Sequence, residues 1–215
     1  MTDEFQKIPD EELARAAQAG DWTSFDELVR RFEARIYGFV LTCCGGHEAN
    51  ARDLTQETFV SAYLNLKRFD PSRSLLTWLF MIARRKCIDR SRRVRPESYE
   101  EVPELPDDET PSALAERRDT REHIWRVARK VLPDLQFQTL WLHYAEDLSV
   151  REIASVVRRT QPHVKVLLFR ARRTLARELK YRTASEQTQS SVGRMAQGVV
   201  AHSARLVGPR LTRSL

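Results

Sequence analysis

The stretch NARDLTQETFVSAYLNLKRF, residues 50–69, decides the fold class. Apolar residues recur along it every three or four positions, which is the spacing of an amphipathic helix. The inner side of this helix is predicted to carry Leu54, Phe59, Ala62, Tyr63 and Leu66. The same spacing returns through most of the chain, strand-like alternation is nearly absent, and only 7 of the 215 residues are glycine. We therefore predict an all-α protein.

Composition narrows the class of protein further. A hydrophobic content of 41% and a charged content of 31% fit a soluble chain that folds. No apolar run approaches the roughly 20 residues of a membrane span, so we expect no membrane insertion. The acidic start, MTDEFQKIPDEE, argues against a signal peptide. Cys43, Cys44 and Cys87 are too few and too poorly spaced for a disulfide framework or a zinc site, so we expect reduced thiols in a cytoplasmic protein.

The net charge of +6 is unevenly distributed. Residues 71–95 contain eight basic and one acidic side chain, and residues 151–182 contain ten basic and two acidic ones. Between them, residues 96–116 contain eight acidic side chains and no basic one. Two basic blocks separated by an acidic connector indicate two contacts with a polyanion.

The acidic connector also divides the chain into domains. Its four prolines and low apolar content predict an extended, flexible linker at 96–116. On either side we predict a small helical domain, one at 22–95 and one at 117–182. Residues 1–21 form an N-terminal segment with a short helix near 10–19. Residues 183–215 form an extension that is disordered or weakly helical.

Within the first domain we predict a helix from Trp22 to Thr42, the helix of the opening stretch, and a last helix from Leu75 to Arg93. The second domain contains SVRE, residues 149–152, which predicts a capping box at a helix start. After a short break, Thr160 is suited to cap a second, arginine-rich helix. Its inward residues are predicted to be Val164, Leu168, Ala171 and Leu175. Two helices joined by so short a turn make a helix-turn-helix.

Both halves resemble an extracytoplasmic-function (ECF, group IV) sigma factor of bacterial RNA polymerase, a member of the sigma-70 family. The N-terminal half carries DLTQETFVSAYLNLKRFDPSRSLLTWLFMIARRKCIDRSRR, and the C-terminal half carries LPDLQFQTLWLHYAEDLSVREIASVV followed by RARRTLARELK. Together they cover roughly residues 22–182. The resemblance implies a sigma region 2 helical bundle at 22–95 and a sigma region 4 helix-turn-helix at 117–182.

A function follows from this resemblance. Such a protein binds core RNA polymerase, directs it to the −10 and −35 elements of promoter DNA and initiates transcription. We find no phosphate loop, nucleophile motif or clustered metal ligands, so we expect no enzyme activity, no cofactor and no metal. The alternative is a helix-turn-helix regulator that binds DNA without joining polymerase. That alternative leaves the resemblance of the N-terminal half unexplained.

The resemblance implies that Asp53, Gln56 and Glu57 bind polymerase. Family members carry an acidic cluster just before this position, whereas Asn50, Ala51 and Arg52 replace it here. Weak basal docking follows, because two carboxylates are missing and a positive charge is added.

A phosphorylation switch would restore the missing charge. Thr55 lies one helical turn after Arg52, and phosphorylation would add a charge of about −1.5 to −2. A subgroup of the family resembles this arrangement and responds to threonine phosphorylation. We therefore hypothesise activation by a Ser/Thr kinase at Thr55, with Thr58 as a second acceptor. The other reading is that Thr55 is an ordinary β-branched helix residue. The sequence leaves open whether a kinase, an anti-sigma factor or the C-terminal extension controls the protein.

The loop and helix after residue 66 match the family's −10 element reader. Cations there suit the DNA backbone, and an aromatic ring at Phe69 suits stacking on a flipped base. Trp78 and Phe80 are expected in the core. The predicted −10 contacts are Lys67, Arg68, Phe69, Arg73, Arg84, Arg85 and Asp89.

The second helix of the helix-turn-helix is expected in the major groove of the −35 element. Here the chain departs from the family, with Arg158 at the turn in place of the common glycine and with Val166 and Leu167 in place of serine and arginine. Such an apolar residue either touches a thymine methyl or packs inward. The predicted −35 contacts are Arg158, Arg159, Gln161, His163, Lys165 and Arg170.

Overall fold

The structure, a computed structural model, describes residues 8–93 and 113–181, with side chains from residue 122 onward in the second range. All regular structure within these ranges is helical, which confirms the predicted fold class. The helices are α1 (Asp10–Gln18), α2 (Trp22–Cys43), α3 (Glu48–Asn65), α4 (Leu75–Arg93), α5 (Ala113–Val131), α6 (Asp134–Tyr144), α7 (Val150–Val157) and α8 (161–181). The C-terminal extension and most of the predicted linker lie outside the described residues.

Local signals set most of the helix boundaries. Asp21 caps α2 by accepting a hydrogen bond from the Thr23 backbone N–H at 3.0 Å. Gly45 and Gly46 end α2 and turn the chain towards α3 with φ of +67° and +92°, a region that glycine adopts without steric cost.

Two predicted boundaries need correction. The helix of residues 50–69 begins at Glu48 and ends at Asn65, followed by a 3-10 turn at Leu66–Arg68. α5 begins at Ala113, inside the predicted linker of 96–116. The four residues concerned, ALAE, all favour a helix, and this local preference outweighs the linker composition around them.

The N-terminal half is a bundle of α1 to α4. Ile36 and Phe39 on α2 are fully buried, and the Phe39 ring meets Phe80 of α4 edge-on with centroids 5.1 Å apart. Trp78, also expected in the core, is partly buried and packs against Phe69 at 4.9 Å. These contacts join α4 to α2 and to the loop that precedes α4.

The C-terminal half consists of α5 to α8. Trp125, Phe137 and Trp141 cluster between α5 and α6, with the two tryptophan rings 4.9 Å apart. On α8, three of the predicted inward residues are at most 3% exposed and the fourth is partly buried against the core, which confirms the predicted inner face. These residues are Val164, Leu168, Ala171 and Leu175.

The two halves pack against each other, α2 on α6 and α4 on α7, and their buried residues form one continuous core. The sequence predicted two separate small cores. Small helical units bury a low fraction of their surface, so burying one against the other adds apolar contact that neither half makes alone.

Candidate functional site

The outer face of α3 carries the three predicted polymerase-binding residues. Asp53, Gln56 and Glu57 are all exposed and lie within one helical turn of each other. The same face continues through Val60 and Leu64, which are 61% and 75% exposed. Sequence reasoning missed this apolar extension, although the step of four residues from Gln56 to Val60 and on to Leu64 could have revealed it. The face is therefore polar at one end and apolar at the other.

Tyr63 was predicted on the inner side of α3, and this is wrong. It is 54% exposed, and its ring meets Phe25 of α2 edge-on at 5.1 Å. Helical spacing puts Tyr63 at the edge of the inner face, where α2 covers only one side of the ring. The other four predicted inner residues, Leu54, Phe59, Ala62 and Leu66, are at most 8% exposed.

The two candidate phosphorylation acceptors lie inside the bundle. Thr55 is 4% exposed, and its hydroxyl donates to the Ala51 carbonyl at 2.7 Å. Thr58 is fully buried and donates to the Leu54 carbonyl at 2.6 Å. Arg52, the expected partner of a phosphate, forms an exposed pair with Glu48 at 2.8 Å. In this packed arrangement neither hydroxyl is at the surface, so modification of Thr55 requires α3 to open.

The loop before α4 is preformed by hydrogen bonds. Gln18 of α1 donates to the Leu66 and Phe69 carbonyls at 2.8 and 2.7 Å. Asp70 accepts from the Ser72 backbone N–H at 3.0 Å and from its hydroxyl at 2.7 Å, and these bonds lower the pKa of the Asp70 carboxyl. Lys67, Arg68 and Arg73 project from this loop and are exposed.

Phe69 was predicted as a stacking platform for a base, and the structure does not support that role. The residue is 5% exposed and packs against Trp78. Its carbonyl accepts from Gln18 of α1 at 2.7 Å, and its ring lies 4.9 Å from the Trp78 ring of α4. Its function in this arrangement is to anchor the loop.

A groove of about 620 Å³ lies between α3 and α4, next to this loop. Four cations of α4 and one of the 3-10 turn line it, together with Trp78 of α4 and with Glu57, Ser61 and Asn65 of α3. The predicted contacts Arg85 and Asp89 are on its rim, 3.8 Å apart. The cations are Arg68, Arg85, Lys86, Arg90 and Arg93.

Arg84 does not share this groove. It is half-buried at the joint between the two halves, where its Nε donates to Gln138 Oε1 of α6 at 3.2 Å. Loss of solvent at this position lowers the pKa of the Arg84 guanidinium. Successive helix residues point about 100° apart, so Arg84 and Arg85 face different surfaces.

The helix-turn-helix is built from α7, a three-residue turn and α8. The predicted capping box is present, since Ser149 accepts from the Glu152 backbone N–H while Glu152 accepts from the Ser149 N–H at 2.9 Å. Thr160 caps α8 by accepting from the His163 N–H at 3.4 Å. Arg158 occupies the turn with φ of +53°, a left-handed conformation that glycine adopts more readily than residues with a Cβ.

All six predicted −35 contacts are exposed. Burial shows which of the two apolar residues Val166 and Leu167 packs inward and which is available to contact a thymine methyl. Leu167 is 7% exposed and packs inward, whereas Val166 is 46% exposed on the outer face with Phe169 at 60%. The six contacts are Arg158, Arg159, Gln161, His163, Lys165 and Arg170.

The cysteines form a small thiol cluster between α2 and α4. Contact with Cys43 and burial raise the pKa of Cys87, and contact with Cys87 and burial raise the pKa of Cys44. The thiols of Cys44 and Cys87 are therefore protonated and suited to packing. Within residues 8–93 and 122–181 no group of three or more His, Cys, Asp or Glu side chains is arranged to hold a metal ion. None of the helices searched in the described part of the chain is long and apolar enough to cross a bilayer.

Comparison with known proteins now assigns the class. The Sigma-70 region 2 family matches residues 28–97, and the Sigma-70 region 4 family matches residues 130–175. The chain is 28% identical over 179 residues to the ECF RNA polymerase sigma factor SigW of Bacillus subtilis, which covers 77% of this chain and 94% of that protein. It is 30% identical over 158 residues to the ECF RNA polymerase sigma factor RpoE of Cereibacter sphaeroides, covering 72% and 86%.

Solved structures agree with this class. The structure of CnrH in complex with the cytosolic domain of CnrY matches with a TM-score of 0.60 and 26% identity, covering 80% of this chain and 97% of that one. The sigma factor RpoE in complex with the anti-sigma factor NepR from Bartonella quintana matches with a TM-score of 0.56 and 22% identity, covering 73% and 96%, and it supports the fold alone. The chain belongs to the ECF sigma factors of the sigma-70 family. It is a DNA-binding factor of transcription initiation, whose partners are core RNA polymerase and promoter DNA.

Proposed function

We propose that this sigma factor divides its work among three surfaces. The outer face of α3 docks on core polymerase, the groove between α3 and α4 with the loop at 67–73 holds the melted −10 strand, and α8 enters the −35 major groove. The proposal is supported by the different chemistry of these surfaces. The α3 face ends in apolar Val60 and Leu64, which suit a protein partner, whereas the groove and α8 are rich in cations, which suit phosphates.

Docking through α3 is the step to test first. Glu57 borders the cationic groove, where its carboxylate lies 3.4 Å from Lys86 Nζ, so Asp53 and Leu64 are better probes of docking alone. Asp53→Arg and Leu64→Ala should each weaken binding to core polymerase at least tenfold and reduce run-off transcription in parallel. Arg30→Ala on α2 is the matched control, because Arg30 pairs locally with Asp26 on another surface.

Two results would contradict this proposal in different ways. Unchanged polymerase affinity in both α3 variants would move docking to another face. Failure of the wild-type chain to co-purify with core polymerase both before and after kinase treatment, while duplex DNA is still bound, would favour a regulator that acts without polymerase. In this proposal polymerase carries out RNA synthesis, and the chain itself has no enzyme activity. The chain works with polymerase in the cytoplasm.

Control of docking is proposed to act on the same helix, α3. Phosphorylation of Thr55 by a Ser/Thr kinase would add charge beside Arg52, provided that α3 opens to expose the hydroxyl. Kinase treatment should strengthen polymerase binding of the wild type but not of Thr55→Ala. The absence of phosphate incorporation into the folded chain would contradict this switch.

An anti-sigma factor is the second proposed means of control. The related RpoE structure is a complex with the anti-sigma factor NepR, and CnrH is bound to the cytosolic domain of CnrY. A partner of this class would cover the exposed α3 face and compete with polymerase. Competition is measured by displacement of labelled core polymerase. Leu64→Ala should weaken the binding of both polymerase and the anti-sigma factor.

A further inference from the structure

We propose that Thr160, in the turn before α8, is a phosphorylation site for a Ser/Thr kinase that selects arginine before its acceptor, and that phosphate at Thr160 weakens binding to the −35 duplex. The effect on DNA rests on the proposed function, because it concerns the surface assigned there to the −35 element. The choice of acceptor does not, since it follows from the hydroxyl groups that the structure describes.

Thr160 is the one exposed threonine among the side chains that the structure describes. It lies between α7 and α8, outside regular structure. Its hydroxyl oxygen accepts from the His163 N–H at 3.4 Å, and among the hydrogen bonds of the described residues this hydroxyl donates none. Thr55 and Thr58, by contrast, are buried and donate to backbone carbonyls within α3. A kinase can therefore reach Thr160 without any helix having to open.

Four serines are also exposed in the described part of the chain, but their hydroxyl groups are engaged. Two of them donate to carboxylates, that of Asp70 at 2.7 Å and that of Glu152 at 2.6 Å, where a phosphate would meet a like charge. The other two lie within helices and donate to a backbone carbonyl of the preceding turn. The four are Ser72, Ser91, Ser149 and Ser155. Thr160 is thus the most available acceptor of the described residues.

Two exposed arginines, Arg158 and Arg159, directly precede Thr160. None of the ion pairs found among the described residues includes either of them. Kinases distinguish their substrates by such charge patterns, and a basic pair before the acceptor suits a kinase with acidic groups around its peptide site. Ser91 also has arginine neighbours, but its hydroxyl is held within α4 by the Ile88 carbonyl.

The modification is a phosphoryl transfer from ATP. Thr160 Oγ1 attacks the γ-phosphorus, and the new oxygen–phosphorus bond forms as the bond from that phosphorus to the bridging oxygen of ADP breaks. The hydroxyl proton passes to the catalytic aspartate of the kinase, and ADP leaves. The threonine then carries a charge of about −1.5 to −2 at pH 7.

This charge would enter a strongly basic surface. Residues 153–177 contain seven basic side chains and no acidic one. A phosphate at Thr160 would accept hydrogen bonds from Arg158 and Arg159, which are both proposed −35 contacts. The two arginines would then be occupied, and the phosphate itself would repel the phosphates of DNA. Affinity for duplex DNA falls for both reasons.

The same modification should not unfold the helix-turn-helix. Thr160 caps α8 through its side-chain oxygen, and a phosphate supplies further oxygen acceptors at the same place. A negative charge at the start of a helix is also favourable. Weaker DNA binding without a loss of stability is therefore the signature of this site.

The effect of the charge is tested with the full chain as Thr160→Asn and Thr160→Asp. Both side chains are good helix caps of nearly the same shape, so the two variants differ by one charge. The probe is a labelled duplex selected from a random-sequence pool for binding to the wild-type chain. Thr160→Asp should bind it about tenfold more weakly than Thr160→Asn, and the difference should shrink as salt rises.

Urea denaturation of the same two variants separates charge from unfolding. Thr160→Asp should be at least as stable as Thr160→Asn. Equal affinities for the duplex would overturn the inhibitory role of Thr160. A loss of stability large enough to explain the weaker binding of Thr160→Asp would overturn it as well.

The acceptor is tested by incubating folded wild type and Thr160→Asn with an arginine-directed Ser/Thr kinase and ATP, followed by mass-spectrometric mapping. A synthetic peptide of residues 154–166 is the control for the kinase. Wild type should take up phosphate at Thr160, Thr160→Asn should take up none, and phosphorylated wild type should bind the duplex more weakly than Thr160→Asp because its charge is larger.

Three results would overturn Thr160 as the acceptor. They are phosphate on the peptide but not on the folded chain, phosphate at another hydroxyl such as that of Ser91, and a peptide that the kinase ignores despite its two arginines. Failure of the wild-type chain to select any duplex would instead overturn the assignment of α8 to the −35 element, and the mapping would still decide the acceptor.

Discussion

The helices α4 and α8 carry similar numbers of cations but use them differently. On α4, Arg90 donates to Asn50 at 2.6 Å, Lys86 lies 3.4 Å from Glu57, and Arg84 donates to Gln138. On α8, Lys165 and Arg170 are exposed, and none of the ion pairs found among the described residues includes either of them. The basic block at 71–95 is thus partly structural, whereas the block at 151–182 keeps cations available for DNA.

The number of cations on a helix therefore does not distinguish a structural role from a role in DNA binding. A cation that already holds a neighbouring helix contributes to folding first, and it must exchange that partner if it is to bind a phosphate. A cation without such a partner can be removed with little effect on stability. Substitutions on the two helices should therefore separate DNA affinity from stability.

The largest effect is expected from removing cations on α8. Lys165→Ala/Arg170→Ala should weaken binding to promoter duplex by about 100-fold, because each contact to a base edge contributes about 1–3 kcal/mol. Each lost phosphate contact should also reduce the slope of log affinity against log salt by about 1. Anisotropy titrations across a salt series measure both quantities, with Arg30→Ala as the control. An unchanged slope and affinity would mean that the cations of α8 do not bind DNA, which would contradict the proposed difference from α4.

On α4 the expected effect is on folding. Arg90→Ala breaks the partly buried hydrogen bond to Asn50 and should lower the free energy of unfolding by about 1–2 kcal/mol. Urea denaturation measures this loss, and Arg92→Ala, at an exposed position on the same helix, should be nearly neutral. Equal stability of the two variants would mean that the Arg90–Asn50 hydrogen bond does not stabilise the fold, and that the cations of α4 have no more structural role than those of α8.

The turn before α8 offers a smaller, stabilising change. Arg158→Gly should raise the free energy of unfolding by about 1 kcal/mol, because a left-handed conformation costs residues with a Cβ about that much. Arg158→Ala is the matched control, since it removes the guanidinium but keeps the Cβ, and it should not stabilise. If glycine and alanine behave alike in urea denaturation, the backbone at Arg158 is not strained.

The smallest effect concerns a methyl group. Replacing thymine by deoxyuridine in a bound −35 duplex should weaken wild-type binding about fourfold, which corresponds to about 0.8 kcal/mol for one buried methyl group. Val166→Ala should bind both duplexes equally, because Val166 is the exposed apolar residue of the second helical turn. Equal binding of both duplexes by the wild type would remove Val166 from base reading.

Local patterns predicted the helices with few errors. The last helix of the first half runs from Leu75 to Arg93 in both prediction and structure, and the capping box at Ser149 is present. Such features depend on residues within one or two turns of each other. The exposure of Asp53, Gln56 and the α8 cations also followed from helical spacing, because polar residues opposite an apolar face stay in water.

Other site features could not be predicted in this way. Phe69 and Thr55 have suitable chemistry for stacking and for phosphorylation, yet both are buried because distant helices cover them. Spacing along one helix predicts which residues share a face. It does not predict which of those faces another helix will cover. The exposed apolar residues Val60 and Leu64, by contrast, share a face with Gln56 at helical spacing, so the sequence could have revealed them.

Local spacing and motifs that are continuous in the chain were enough to predict the all-α class, the order of the helices, the helix-turn-helix and the family. The packing of α2 on α6 and of α4 on α7, which brings Arg35 to Glu146, is visible in the tertiary structure alone. Contacts across 111 residues depend on how two apolar surfaces fit in space, and that fit is a property of the packed chain rather than of any one segment.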